Sequence, residues 1–168
     1  MYRISQGFLI EWVLAVAVWG SLVCISSAGA VEPPNEFYIT IRVKGEFNQV
    51  VADLKKAIRV NNYFVGEITN VDSGLKKRGA LKSVGITQYK IIGFCNLSLA
   101  GKALRINPNI GVFMPCRLAV YQKTGSKEVV IAAMRPTYMA RVFKDSGVKK
   151  MAEEVEKVLL RILDAVQF

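Results

Sequence analysis

Cysteine is the residue whose placement in this chain most suggests chemistry. Cys95 closes the apolar stretch "KIIGFC" and Cys116 opens "CRLAVY", twenty-one positions further on. If the two stretches are antiparallel neighbours, the end of one lies opposite the start of the other. Tyr89, Ile91, Gly93 and Cys95 share one pleat, as do Cys116, Leu118 and Val120. Facing residues in a non-hydrogen-bonded pair have Cα atoms about 4.5 Å apart, within the reach of a disulfide. Three uses are open. A disulfide would contribute roughly 3 kcal/mol by restricting the unfolded chain. A reversible thiol pair, or soft ligands for copper or haem iron, is the second use, with Met114, Met134, Met139 and Met151 as further sulfur donors. Two separate buried thiols, packing as small hydrophobes, are the third. Arg117 would favour a thiolate at Cys116, but strand alternation sends it to the opposite face.

Other chemistry is narrowed by what is missing. The chain contains no histidine, which removes Ser-His and Cys-His nucleophiles, histidine-ligated zinc and c-type haem attachment. Carboxylates are scattered, with no pair spaced for acid–base work. Ser73-Gly74-Leu75-Lys76 and Lys123-Thr124-Gly125 have the spacing used by penicillin-binding enzymes. They fall in a basic loop and at a hairpin tip, so the match is rejected. Lys76, Lys77, Arg78 and Lys82 form the densest basic cluster. It suits either an anion or membrane-surface contact, at about 1 kcal/mol per charge near an anionic bilayer, or a solvated loop.

The elements that must hold these residues follow from periodicity. Residues 37–44 alternate apolar and polar, as a half-buried strand does. Phe47, Val50, Val51, Leu54, Ala57 and Ile58 then recur at helical steps, and Asn61-Asn62 ends that helix. Residues 63–71 and 88–95 read as strands, separated by a glycine-rich basic loop or short helix. A short helix over 97–105 stops at Asn107-Pro108-Asn109. Residues 116–122 and 128–134 form a hairpin around Gly125, which Pro136 closes. A helical stripe from Met151 to Val166 ends the chain. The predicted order is strand, helix, four strands, helix. That order argues for an α+β fold, an antiparallel sheet with helices on one face.

The first thirty residues differ from the rest. Only Arg3 and Glu11 are charged, and an apolar run leads to Ala28-Gly29-Ala30. These are the parts of a cleaved secretory signal, with an anchor helix over 12–28 as the alternative. Residues 31–36 read as a linker and 37–168 as a single domain. The net charge of +10 stays with the exported part, because the leader's two charges cancel. Such a chain attracts anionic membrane surfaces and acidic proteins, and export, expected to the periplasm, argues against a nucleic-acid partner.

"GFCNLSLAGKAL" followed by "NIGVFMPCRLAVY" resembles the signature of the domain of unknown function 302 family, in the form with Cys-Asn-Pro and Leu-Pro-Cys. Here those motifs are Cys95-Asn96-Leu97 and Met114-Pro115-Cys116, and "MRPTYM" with Pro136 continues the likeness. The resemblance implies a TATA-box-binding-protein-like fold and a tendency to form homodimers. Leu97 departs from the pattern's proline. The leading expectation is an exported, non-enzymatic domain that binds a small ligand or a protein partner and is braced by Cys95 and Cys116. A thiol-redox or soft-metal/haem protein using that pair, and a basic peripheral surface protein, are the alternatives. No cofactor is required by the sequence.

Overall fold

The computed structural model describes residues 35–167. The expected signal segment, the alternative anchor over 12–28 and the linker as far as residue 34 lie outside them. Five strands, β1 (Tyr38–Lys44), β2 (Phe64–Asn70), β3 (Ile86–Cys95), β4 (Cys116–Lys123) and β5 (Glu128–Met134), form one sheet in the order β1-β5-β4-β3-β2. Every neighbouring pair is antiparallel.

β1 and β2 are the two edges, so the chain must cross the sheet between them. Helix α1 (Phe47–Val60) makes that crossing, and its six periodic apolar residues are all buried. The chain then returns through β3, β4 and β5 until β5 pairs with β1. The long helix α5 (Ser146–Asp164) lies beside α1 on the same face. Val43, Ile92, Phe94, Leu118, Val120, Ile131 and Leu54 join Leu159, Ile162 and Leu163 in one apolar cluster. The opposite pleats carry Arg42, Arg117 and the stacked rings of Tyr89 and Tyr121, 5.5 Å apart. An α+β fold with helices against a five-stranded antiparallel sheet is therefore what the alternation predicted.

Three short pieces go beyond the expected order. The basic loop contains a helix, α2 (Val71–Lys77), one of the two forms expected there. Helix α3 (Leu97–Ile106) is followed by a 3-10 turn over Pro108–Phe113, where a plain stop was expected. Pro136 does not simply end β5. It occupies the first turn of α4 (Pro136–Ala140), where its fixed φ and missing N–H are harmless. Helix α5 begins before the apolar stripe does, because the Asp145 carboxylate accepts from the Val148 amide at 3.0 Å and caps it. These pieces build a second, smaller cluster of Ala103, Ile110, Ala140 and Val148, with Met114, Phe143 and Met151 packed on it.

Candidate functional site

The site begins with how α1 ends. Asn62 takes a left-handed φ of 61°, a conformation asparagine tolerates better than most residues. The Asn62 amide donates to the Arg59 carbonyl at 3.0 Å and the Tyr63 amide to the Ile58 carbonyl at 3.1 Å. This double closure turns the chain back over the helix end and drives the Tyr63 ring into the interior, where it is only 6% exposed. There it meets Phe94, ring centroids 5.6 Å apart.

Asn96 fixes the other side. Its Oδ1 accepts from the Leu99 amide at 3.1 Å, capping α3, while its Nδ2 donates to the Asn62 carbonyl at 3.0 Å. One side chain thus ties the start of α3 to the turn that sets Tyr63. The third anchor is Glu156 on α5. It accepts from Arg135 Nη1 at 2.6 Å, from the Thr137 amide at 3.1 Å and from the Thr137 hydroxyl. That clasp holds α4 on α5.

Between these anchors the two apolar clusters do not close. Ala100 and Ala103 of α3, Ala140 of α4 and Ala152 of α5 face the same space, and small side chains at facing positions leave room. The result is a cavity of about 110 Å³. Tyr63, Phe113, Met114, Met139 and Met151 supply most of its wider walls, and the lining is almost wholly apolar. Cys95, Asn96, Cys116 and Pro136 border it as well. A second hollow, of about 190 Å³, shares Phe113, Cys116, Pro136 and Met139 with the first and extends to Pro115 and Arg117.

The expected brace is corrected here. Among the described residues both Cys95 and Cys116 are free thiols. The reason is register: Cys116 pairs with Phe94 and Arg117 with Gly93. The pleat that Cys95 shares with Tyr89 and Ile91 therefore meets Arg117, Ala119 and Tyr121 on β4, one residue out of step with Cys116. Cys95 and Cys116 are therefore not cross-strand partners, although both border the same pocket at the sheet's end. Burial pushes the Cys116 thiol up to about 11, with Cys95 adding to the effect. Burial also raises Cys95. Thiols held protonated in this way are poor nucleophiles, so the redox reading of the pair falls with the disulfide. No group of three Cys, Asp or Glu side chains is arranged to hold a metal among the described residues.

The remaining expected residues lie away from this pocket or at its rim, and Lys76 and Lys82 border one hollow beside α2. Lys76 and Lys77 are exposed on α2, Arg78 caps it and donates to the Gly74 carbonyl at 3.1 Å, and Lys82 lies in the next turn. Arg117 is exposed on the outer pleat. Pro115, whose bond to Met114 is cis, packs over Gly93, where a Cβ would come within 3.3 Å of its Cγ. Among the described residues no helix is long and apolar enough to cross a membrane. Sequence reasoning missed Tyr63, which periodicity shows only as the start of a strand, and Glu156, for which it offers no role. Their signals were present, since an Asn-Asn helix stop aims the next residue inward and Glu156 lies four residues after Ala152 and three before Leu159.

The sheet, its helical layer and the alanine-lined pocket at one end define a small α+β domain with an apolar pocket of ligand size. The chain belongs to the family described as "Domain of unknown function DUF302", whose profile matches residues 39–166. It is similar to the crystal structure of an uncharacterized conserved DUF302 protein from Bacillus stearothermophilus, with 26% identity and a TM-score of 0.72. The match covers 79% of this chain and 99% of that one. No curated protein matches it.

Proposed function

We propose that this protein binds a small, uncharged, largely apolar molecule in the cavity between α3, α4, α5 and the end of the sheet. The cavity itself carries the reading. Ligand pockets are lined mainly by apolar side chains, and the space here, about 110 Å³ and almost wholly apolar, suits a single ring. No Lys, Arg, Asp or Glu borders it, so a charged ligand would lose its hydration with nothing to replace it. The signal pattern of residues 1–30 supports export as the setting. The strand-helix-four strands-helix order supports a place among TATA-box-binding-protein-like folds. Cys95-Asn96 and Pro115-Cys116 support the cysteine-bearing form of the family.

Titration with toluene, followed by NMR and by thermal denaturation, tests the reading. Saturable binding that raises the melting temperature is expected, because a ligand held only by the folded state stabilises it. Ala103→Leu, which fills the space from α3, should abolish binding while keeping the fold. If toluene does not bind saturably to the wild-type protein, or binds equally well to the filled variant, the cavity is not the site.

A further inference from the structure

The second hollow differs from the alanine-lined pocket in one chemical respect: a cation stands in its wall. Val112, Phe113, Pro115, Met134 and Met139 make much of the lining, and Arg117 is its single charged residue. Lone apolar side chains at a surface need no explanation. Here two large ones, Val112 at 83% exposure and Met134 at 53%, line the same hollow as the arginine. The space, about 190 Å³, therefore joins uncovered apolar surface to a positive charge.

The sheet explains why the chain does not neutralise that charge. Arg117 is exposed, one position before Leu118, whose side chain enters the core beneath the helices. Its neighbour on β3 is Gly93, which has no side chain to meet it. On β5 the pairing of Leu118 with Ala133 sets Met134 alongside. Glu67 lies across Gly93 on β2, its carbonyl oxygen 3.4 Å from where a Gly93 Cβ would stand. It forms no ion pair with Arg117. Among the described residues the ion pairs are Arg135–Glu156 and Arg141–Glu36, and Arg117 is in neither. Gly93 also lets Pro115 approach, since a Cβ there would come within 3.3 Å of the Pro115 Cγ. One glycine thus admits the apolar wall and leaves the arginine unmatched.

We propose that this hollow binds a small amphipathic monoanion, a carboxylate on a ring-sized or short-chain apolar body, with Arg117 as its anchor. The fork of N–H donors on a guanidinium matches the two oxygens of a carboxylate. One cation balances one negative charge, and the lining holds no second cation for a dianion. The apolar body lies against Val112, Pro115 and Met134, and water withdrawn from those surfaces supplies the driving force. Because Arg117 is exposed, the bound carboxylate keeps part of its hydration. The desolvation cost that bars anions from the alanine-lined pocket is therefore smaller here. This second site goes beyond the neutral ligand of that pocket. The two spaces share Phe113, Cys116, Pro136 and Met139 and differ in charge.

The test uses cyclohexanecarboxylate and cyclohexanecarboxamide, nearly equal in shape and different in charge. Each is titrated by NMR into the wild-type protein and into Arg117→Gln, with the side-chain methyls observed. The wild type should bind the carboxylate saturably and prefer it to the amide by roughly threefold to tenfold, as one forked, partly exposed ion pair allows. That preference should vanish in the variant and shrink in the wild type as salt is raised. The methyls of Val112 and Met134 should shift. Absence of saturable carboxylate binding, equal binding of the two probes, or an unchanged preference in Arg117→Gln would overturn the proposal and leave the toluene result standing. Shifts at Ala103 and Met151 alone, which border only the alanine-lined pocket, would overturn it too, by placing the anion there. If the variant folds poorly, the probe preference, salt dependence and methyl pattern of the wild type decide the point.

Discussion

At Glu156 three donors converge on one carboxylate. Burial alone would raise its pKa, but the hydrogen bonds from Thr137, and then the bond and charge of Arg135, outweigh burial and lower it. A carboxyl group depressed in the folded state contributes stability above its ordinary value, 4.5 for glutamate here, and loses it as pH falls through the folded value. The urea midpoint of the wild type should hold from neutral pH down to that range and then decline. In Glu156→Gln one acceptor becomes an amide donor facing Arg135 or Thr137, and a buried polar group left unmatched costs about 1–3 kcal/mol. The variant should start lower at neutral pH and lack that component of the acid decline. Equal midpoints at pH 7 would mean that the clasp contributes nothing to the fold. The cysteines are governed by the same balance with the opposite outcome. Burial outweighs the single backbone hydrogen bond that favours each thiolate, so both thiols are raised and behave as wall rather than as reagent.

Helix α3 shows how an element depends on one side chain. Asn96 caps it and also donates to the carbonyl of Asn62, so the helix start and the Tyr63 turn are fixed together. Asn96→Ala should cost about 1–2 kcal/mol, a cap plus one hydrogen bond, and should weaken toluene binding because α3 forms one wall. Asn96→Asp keeps the cap and loses only the donor, so its loss in urea denaturation should be smaller. Equal losses in the two variants would place the energy in the Asn62 contact rather than in the cap. Elements of this kind differ in how far the sequence shows them. β5 was legible at both ends and α1 by its whole buried face, because alternation and helical spacing are properties of one segment. Register is a property of two segments and of the irregularities between them, such as the break in β3–β4 pairing between Ile86 and Gln88. For that reason the faces of Cys95 and Cys116 could be read but not their mismatch. α4 is too short for any period to develop, and Pro136 reads equally well as a strand stop and as a helix start. The cavity was the least legible feature, since it depends on alanines from three helices meeting across space.

On the scale of the molecule, the two apolar clusters have unequal support. The larger is bonded across five paired strands and buried under α1 and α5. The smaller has four buried members, held by the Asn96 cap, the Asp145 cap and the Glu156 clasp. Proteins open in cooperative units whose free energies follow such differences. α3, the 3-10 turn, α4 and the first half of α5 should therefore open before the sheet does. Native-state hydrogen exchange checks this. Amides of α3, α4 and residues 149–153 should exchange through an opening of lower free energy than those of β3, β4, β5 and the Leu159–Leu163 end of α5. Saturating toluene should slow the first set more than the second, because filling the cavity stabilises the closed form of that unit. Uniform exchange at the global rate, or ligand protection spread evenly over the sheet, would show that the molecule opens as one body.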